Sequence, residues 1–219
     1  MQRASLDSRF KSGVLPIATA ALLVFFASPY TTWLVRGSSV SAIILRELLF
    51  WAGAATIVLY VLCVERRPLT SIGLNRPTWK SLVYALPAAV VSIAGLAFLY
   101  LYVFPAFHLA DNASALSSLA HVPRWLMASI VLRAAIFEEL FYRGFAIERL
   151  TEILHIRAIA AAASLAAFTW AHMSYWGAGH LLVAGFGGLI LTLLYVWRRD
   201  LISNMLAHFI TDAVGFLLA

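Results

Sequence analysis

The segment from Trp125 to Ala146 reads WLMASIVLRAAIFEELFYRGFA, and it combines the two features that decide the fold. Its length and apolar character suit a membrane-spanning helix, which needs about 20 residues to cross roughly 30 Å of hydrocarbon. Inside a span, an ionisable residue costs about 2.5–3.5 kcal/mol even on the mildest scale, so pairing or function must retain it. Four such residues lie in this segment, namely Arg133, Glu138, Glu139 and Arg143. The segment therefore predicts a membrane helix that carries a polar site.

The composition of the whole chain is that of a membrane protein. Of its 219 residues, 63% are hydrophobic and only 12% are charged, and the mean hydropathy is +0.88. Soluble domains have about 25% charged residues and about 45–50% apolar residues. The composition excludes a soluble domain and predicts an all-α fold, a polytopic transmembrane helical bundle. The single cysteine, Cys63, excludes an internal disulfide.

Seven apolar segments are long enough to be spans. The last four are joined by short loops, which make neighbouring helices antiparallel. The predicted spans are 14–35, about 48–64, about 81–104, 125 to about 146, about 158–175, 181–197 and 201–218. The chain is then organised as a cytoplasmic tail (1–13), two first spans (14–64), a cytoplasmic loop (65–80) and a transmembrane core with the polar motifs (81–219).

The basic residues predict the orientation. With a cytoplasmic N-terminus, eleven Lys and Arg residues lie in inside segments, against Arg36 and Arg124 outside. This asymmetry is typical of a positive-inside membrane protein. The net charge of +6 is then explained by topology and by contacts with anionic lipid head groups, so no nucleic-acid partner is expected. The compact, short-loop chain indicates a multi-pass protein of a bacterial inner membrane.

Helical geometry assigns the polar residues of the fourth span to different faces of the helix. Glu139 and Arg143 are four residues apart, so they share a face and are predicted to form an ion pair. Glu138 lies about 100° around the helix and points toward another helix. Arg133 could neutralise a carboxylate within the bundle, which is the interpretation favoured here, or it could meet a carboxylate of the substrate. At the outer end of the second span, Arg46 and Glu47 are expected to form a local pair.

Two later spans present similar polar stripes. Phe168 and His172 are four residues apart in the fifth span, as are His208 and Asp212 in the seventh. Packed against the fourth span, these stripes could build a pocket that holds water. A carboxylate there could take a proton from water, and one imidazole could orient that water. A second imidazole could donate a hydrogen bond to a developing oxyanion.

Two common catalytic signatures, a serine nucleophile elbow and a zinc-protease motif, are absent from the sequence. The chain has no G-x-S-x-G elbow and no H-E-x-x-H zinc signature.

At about 1.5 Å per residue, Glu138 and His208 are predicted in the cytoplasmic half of the membrane, with His172 nearer the outer half. The sixth span, with Tyr195 and Trp197, is predicted to serve packing and an interfacial aromatic belt.

Three motifs resemble those of the CPBP family (CAAX protease and bacteriocin-processing, or Abi, proteins), a group of intramembrane glutamic endopeptidases. Residues 138–143 resemble its E-E-x-x-x-R motif, and residues 168–172 resemble its F-x-x-x-H motif. Residues 208–212 resemble its third motif, H-x-x-x-N/D. The order and the spacing of the motifs agree, and the resemblance covers roughly residues 124–219.

The resemblance implies an intramembrane endopeptidase that acts on a membrane-associated peptide or protein. Glu138 would be the general base, and His172 would help it to activate water. His208 and Asp212 would line the oxyanion site, supported by Glu139, Arg143 and Phe168. The related eukaryotic enzyme has Asn where this chain has Asp212. Because an ionised Asp cannot donate a hydrogen bond, either Asp212 is protonated or it orients His208 instead, and the second role is the one predicted here.

Two other functions fit the same residues. Intramembrane Glu, His and Asp also carry ions in transporters, so an ion-coupled transporter is one alternative. A non-catalytic immunity or scaffold protein of the membrane is the other. No cofactor is expected. A metal-dependent protease stays open as a variant of the leading hypothesis, with Glu138, His172 and His208 as the ligands.

Overall fold

The computed structural model describes residues 35, 37 and 39–218, and this part of the chain is helical without any strand. Its seven helices form a bundle, which confirms the predicted all-α fold. They are α1 (Val40–Leu59, continued by π-helical Tyr60–Val64), α2 (Trp79–Phe98, continued by Leu99–Val103 and Phe104–Ala106), α3 (Ala113–Ala120), α4 (Arg124–Glu138, then π-helical Glu139–Ile147, then Glu148–Leu154), α5 (Arg157–Trp176), α6 (His180–Arg198) and α7 (Leu201–Ala213, continued by π-helical Val214–Leu218). A 3₁₀ turn, Leu69–Ile72, lies between α1 and α2.

Four of these helices, α1, α2, α6 and α7, are long and apolar enough to cross a membrane. Helices α4 and α5 do not combine the required length and apolar composition, and α4 carries the charged residues of the polar site. The predicted first span, 14–35, falls almost entirely outside the described residues. The chain is therefore an integral membrane protein, whereas the count of seven spans and the cytoplasmic N-terminus stay predictions.

Helix α4 occupies the centre of the bundle. It packs against α1, α5 and α7, while α2 packs against α6 and α7. Phe137, Phe141 and Phe145 recur every four residues along α4 and are buried on one face. Within a membrane such contacts stabilise through close packing rather than through removal of apolar surface from water. This central position brings the polar residues of α4 within reach of the other helices.

The loop between α1 and α2 docks against the turn between α6 and α7. The carbonyl of Ile72 accepts a hydrogen bond from the Tyr195 hydroxyl at 3.1 Å, and the carbonyl of Gly73 accepts one from the Leu201 backbone at 2.9 Å. Gly73 has a φ of +76°, and a Cβ there would lie 2.7 Å from the Tyr195 oxygen, so glycine is required. Tyr195 is thus buried and holds this loop in place, which agrees with the predicted packing role, whereas Trp197 is exposed.

Ion pairs of the buried residues Glu148 and Arg149 connect helix ends near this loop. Glu148 accepts hydrogen bonds from Arg157 at 3.0 Å and from Arg199 at 2.6 Å. Arg149 is buried and pairs with Glu65 through two nitrogens. The prediction that the basic residues contact lipid head groups is therefore wrong for Arg149, because its charge is satisfied inside the protein.

Candidate active site

A cavity of about 640 Å³ lies between α2, α4, α5, α6 and α7. Most of its wall is apolar, as a site for an apolar peptide would require. The four residues predicted to be catalytic all line it: Glu138, His172, His208 and Asp212. The structure thus brings the polar stripes of α4, α5 and α7 into one pocket, an arrangement that the spacing within each helix allowed but did not specify.

Glu138 ends the regular part of α4 and faces α5. Its Oε2 lies 3.9 Å from Nε2 of His172, and its Oε1 lies 3.5 Å from Nη1 of Arg133. The side chain is 17% exposed, so it is reachable from the cavity. Glu138 and Glu139 point in different directions, as the helical geometry predicted.

His172 is held in one orientation by its own helix. Its Nδ1 lies 2.8 Å from the backbone carbonyl of Phe168. Because a carbonyl only accepts hydrogen bonds, Nδ1 carries a hydrogen and donates it. In the neutral ring, Nε2 then presents its lone pair toward Glu138. A water molecule can bridge the 3.9 Å between Nε2 and the Glu138 carboxylate.

Glu139 is fully buried and holds neighbouring side chains of the site in position through its carboxylate oxygens. Its Oε1 accepts a hydrogen bond from Arg143 at 2.8 Å, which confirms the predicted ion pair, and lies 2.9 Å from Nδ1 of His208. Arg143 also donates to the carbonyl of Gly188 at 3.0 Å, and its guanidinium lies 4.2 Å from the ring centre of Phe168. Glu139 therefore links α4 to α7, while Arg143 links α4 to α5 and α6.

His208 lies between two carboxylates. Its Nδ1 faces Glu139, and its Nε2 lies 3.3 Å from Oδ2 of Asp212, one turn along α7. A carboxylate on each side of the imidazole fixes the plane of the ring. This arrangement agrees with a role of Asp212 in orienting His208.

The predicted difference in depth between Glu138 and His172 is wrong. Helix α4 does not end near Ala146 but continues to Leu154, where His155 adopts a left-handed conformation. Glu138 lies sixteen residues before Leu154, and His172 lies fifteen residues after Arg157 at the start of α5. The two helices form a hairpin, so the two side chains meet at the same level.

The predicted pair between Arg46 and Glu47 is also wrong. Glu47 is buried and accepts hydrogen bonds from Arg133 at 3.0 Å, whereas Arg46 donates to the backbone carbonyl of Gly37 at 2.8 Å. Arg133 therefore neutralises carboxylates, as predicted, and lies between Glu47 on α1 and Glu138. The same arginine and Glu138 line a second cavity of about 380 Å³ on the α1 side.

Three polar residues near the site were not predicted. Asn204 donates hydrogen bonds to Glu139 at 3.0 Å and to the Leu191 carbonyl at 2.7 Å. Its position one turn before His208 on the same face of α7 was the available signal. Asp111 and His180 form a pair at 3.1 Å at the edge of the large cavity. They are 69 residues apart in the sequence, so no local pattern joins them.

Among the described residues, no group of three or more His, Cys, Asp or Glu side chains is arranged to hold a metal ion. Glu138, His172 and His208, the ligands of the metal-dependent alternative, consequently do not form such a group. The carboxylates of the site instead contact arginine and histidine side chains.

Comparison with known proteins agrees with the three motifs. Residues 113–214 match the family model described as Type II CAAX prenyl endopeptidase Rce1-like. This region contains α3 to α6, most of α7 and every predicted site residue. The comparisons with curated proteins and with solved structures gave no match. The match covers a little under half of the chain, and it confirms the predicted resemblance over this region.

Proposed function

We propose, from the Rce1-like match over residues 113–214, that this chain is a glutamic intramembrane endopeptidase that hydrolyses a peptide bond near the membrane surface. The observation that carries this proposal is the approach of Glu138 Oε2 to His172 Nε2, at 3.9 Å, on the wall of the large cavity. A water molecule held between these groups would have a base on one side and an orienting imidazole on the other. The substrate would be a membrane-associated peptide or protein with apolar side chains.

The proposed reaction uses Glu138 first as a base and then as an acid. Glu138 takes a proton from the water while the water oxygen bonds to the carbonyl carbon of the substrate. Collapse of the tetrahedral intermediate breaks the C–N bond, and the proton held by Glu138 moves to the leaving amine. His172 accepts a hydrogen bond from the same water through Nε2 and keeps its attack directed at the carbonyl.

His208 would stabilise the oxyanion from the opposite side of the cavity. In this proposal, Nε2 of His208 carries a hydrogen that is directed by Asp212 and is shared with the oxyanion as negative charge develops. Glu139 and Arg143 would fix the position of His208 through the buried contacts of α4. No cofactor takes part, and Arg133 keeps the charge of Glu138 balanced.

Asp212→Asn is expected to leave considerable activity. The amide oxygen of the substituted side chain would still accept a hydrogen bond from Nε2 of His208, so the loss should stay within about tenfold, the value of one ordinary hydrogen bond. Asp212→Leu, which has a similarly branched side chain and no acceptor, is the matched control and should lose more. Initial cleavage rates of the two variants measure this. Complete inactivity of Asp212→Asn in a folded protein would show that Asp212 does more than orient His208.

Metal chelators are expected to leave cleavage unchanged. Glu138 activates water directly in this proposal, so treatment with EDTA or 1,10-phenanthroline should not alter the initial rate. Loss of activity that is restored by added Zn²⁺ would instead support the metal-dependent alternative. The rate before and after overnight dialysis against chelator measures this.

Reconstitution tests the proposed function. The purified protein is placed in liposomes with a pool of internally quenched apolar heptapeptides, and fluorescence release is followed for the wild type and Glu138→Gln. Release by the wild type alone is the expected result. No release by either protein, together with ion flux across the same liposomes, would contradict it and favour the transporter.

A further inference from the structure

A second acid–histidine pair borders the large cavity, outside the residues assigned above. His180, the first residue of α6, is buried, and its Nδ1 lies 3.1 Å from Oδ1 of Asp111. The other oxygen of this carboxylate, Oδ2, accepts a hydrogen bond from the Tyr100 hydroxyl at 2.7 Å. All three residues line the cavity that also contains Glu138 and His172. The pair thus belongs to the cavity wall although it lies on elements away from the three motifs.

The contacts of His180 fix both its tautomer and its plane. A carboxylate only accepts hydrogen bonds, so Nδ1 of His180 carries a hydrogen and the neutral ring has an unprotonated Nε2. The ring is nearly parallel to that of Trp176, at 4.7 Å and 14°, and to that of His172, at 6.1 Å and 15°. No described residue forms a hydrogen bond with Nε2. A preorganised acceptor therefore lies beside His172 without a partner in the described part of the chain.

A peptide that enters this cavity needs such an acceptor. Backbone N–H groups that leave water must find partners, because an unsatisfied buried donor is costly. The wall is mostly apolar, and Glu138 is engaged with water in the proposed reaction. We propose that Nε2 of His180 accepts a hydrogen bond from a backbone N–H of the substrate, close to the scissile bond. Asp111 and Tyr100 are positioning residues for this contact.

This inference rests on the proposed function, and paired variants test it. His180→Phe keeps a flat ring that can stack on Trp176 but removes the acceptor, whereas His180→Gln retains an acceptor oxygen. With one peptide that the wild type cleaves, His180→Phe should raise KM about fivefold with little change in kcat, and His180→Gln should raise it less. An unchanged KM in a folded His180→Phe protein would overturn the proposal, as would equal effects of the two variants.

N-methylation along the substrate backbone identifies the N–H group that donates to His180. Methylation of each peptide nitrogen in turn removes one N–H at a time. At one position, methylation should raise the KM of the wild type about as much as His180→Phe does, and it should have no further effect in that variant. Additive losses at every position would contradict the contact. If the wild type cleaves no peptide, the proposed function itself fails, and that result is distinct from a failure of His180 alone.

Discussion

Glu138→Gln is expected to lower the rate of peptide cleavage by about 10²–10⁴-fold, the usual contribution of a general base. The amide has nearly the same volume as the carboxylate, but it cannot take a proton from water. The fold should persist, because Arg133 keeps its hydrogen bonds to Glu47 at 3.0 Å. Cleavage rates and thermal unfolding midpoints of the wild type and the variant, in the same detergent, measure both effects.

Glu152→Gln is the matched control for this substitution. Glu152 is 43% exposed and contacts Arg67 and Arg149 outside the cavity, so the same chemical change there should leave the cleavage rate near that of the wild type. Equal losses in both variants would indicate a general effect of removing a carboxylate. Substantial cleavage by folded Glu138→Gln protein would remove Glu138 from the role of base.

Arg143→Ala should destabilise the protein by about 3–5 kcal/mol, because it breaks a fully buried ion pair. The arginine side chain is 1% exposed, and its loss leaves Glu139 without its cation and the Gly188 carbonyl without its donor. The stacking of the guanidinium on Phe168 is lost as well. The midpoint of thermal unfolding in detergent, together with the yield of folded protein, measures the effect.

Arg67→Ala provides the comparison for Arg143→Ala. Arg67 is 34% exposed and pairs with the exposed Glu152, and such surface pairs contribute about 0–1 kcal/mol. The unfolding midpoint of this variant should stay close to that of the wild type. If Arg143→Ala shifted the midpoint no more than Arg67→Ala does, the buried contacts of Glu139 and Arg143 would not be holding the helices together.

The local part of the site could be predicted from the sequence. Residues four apart on a helix share a face, so the pairing of Glu139 with Arg143 followed from spacing alone. The cost of ionisable groups in a membrane marked α4, α5 and α7 as the helices that carry a site. The convergence of Glu138, His172, His208 and Asp212 on one cavity agrees with both arguments.

Contacts between distant elements could not be predicted. Glu47 and Arg133 are 86 residues apart, and nothing in the local pattern of α1 shows that Glu47 points inward rather than toward Arg46. The depth of His172 relative to Glu138 was also predicted wrongly, because apolar composition does not reveal that α4 continues to Leu154. Both features depend on how whole helices pack, which residue spacing does not specify.

The most direct test compares protein termini in membranes of cells that carry the wild type or Glu138→Gln at matched expression. If Glu138 is the catalytic base, new termini should appear only with the wild type, at sites near the bilayer surface, and these would also name the substrate. Identical termini in both membranes would contradict this role of Glu138. If Glu138→Gln also rescued the phenotype of cells that lack the protein, a non-catalytic immunity or scaffold role would be favoured.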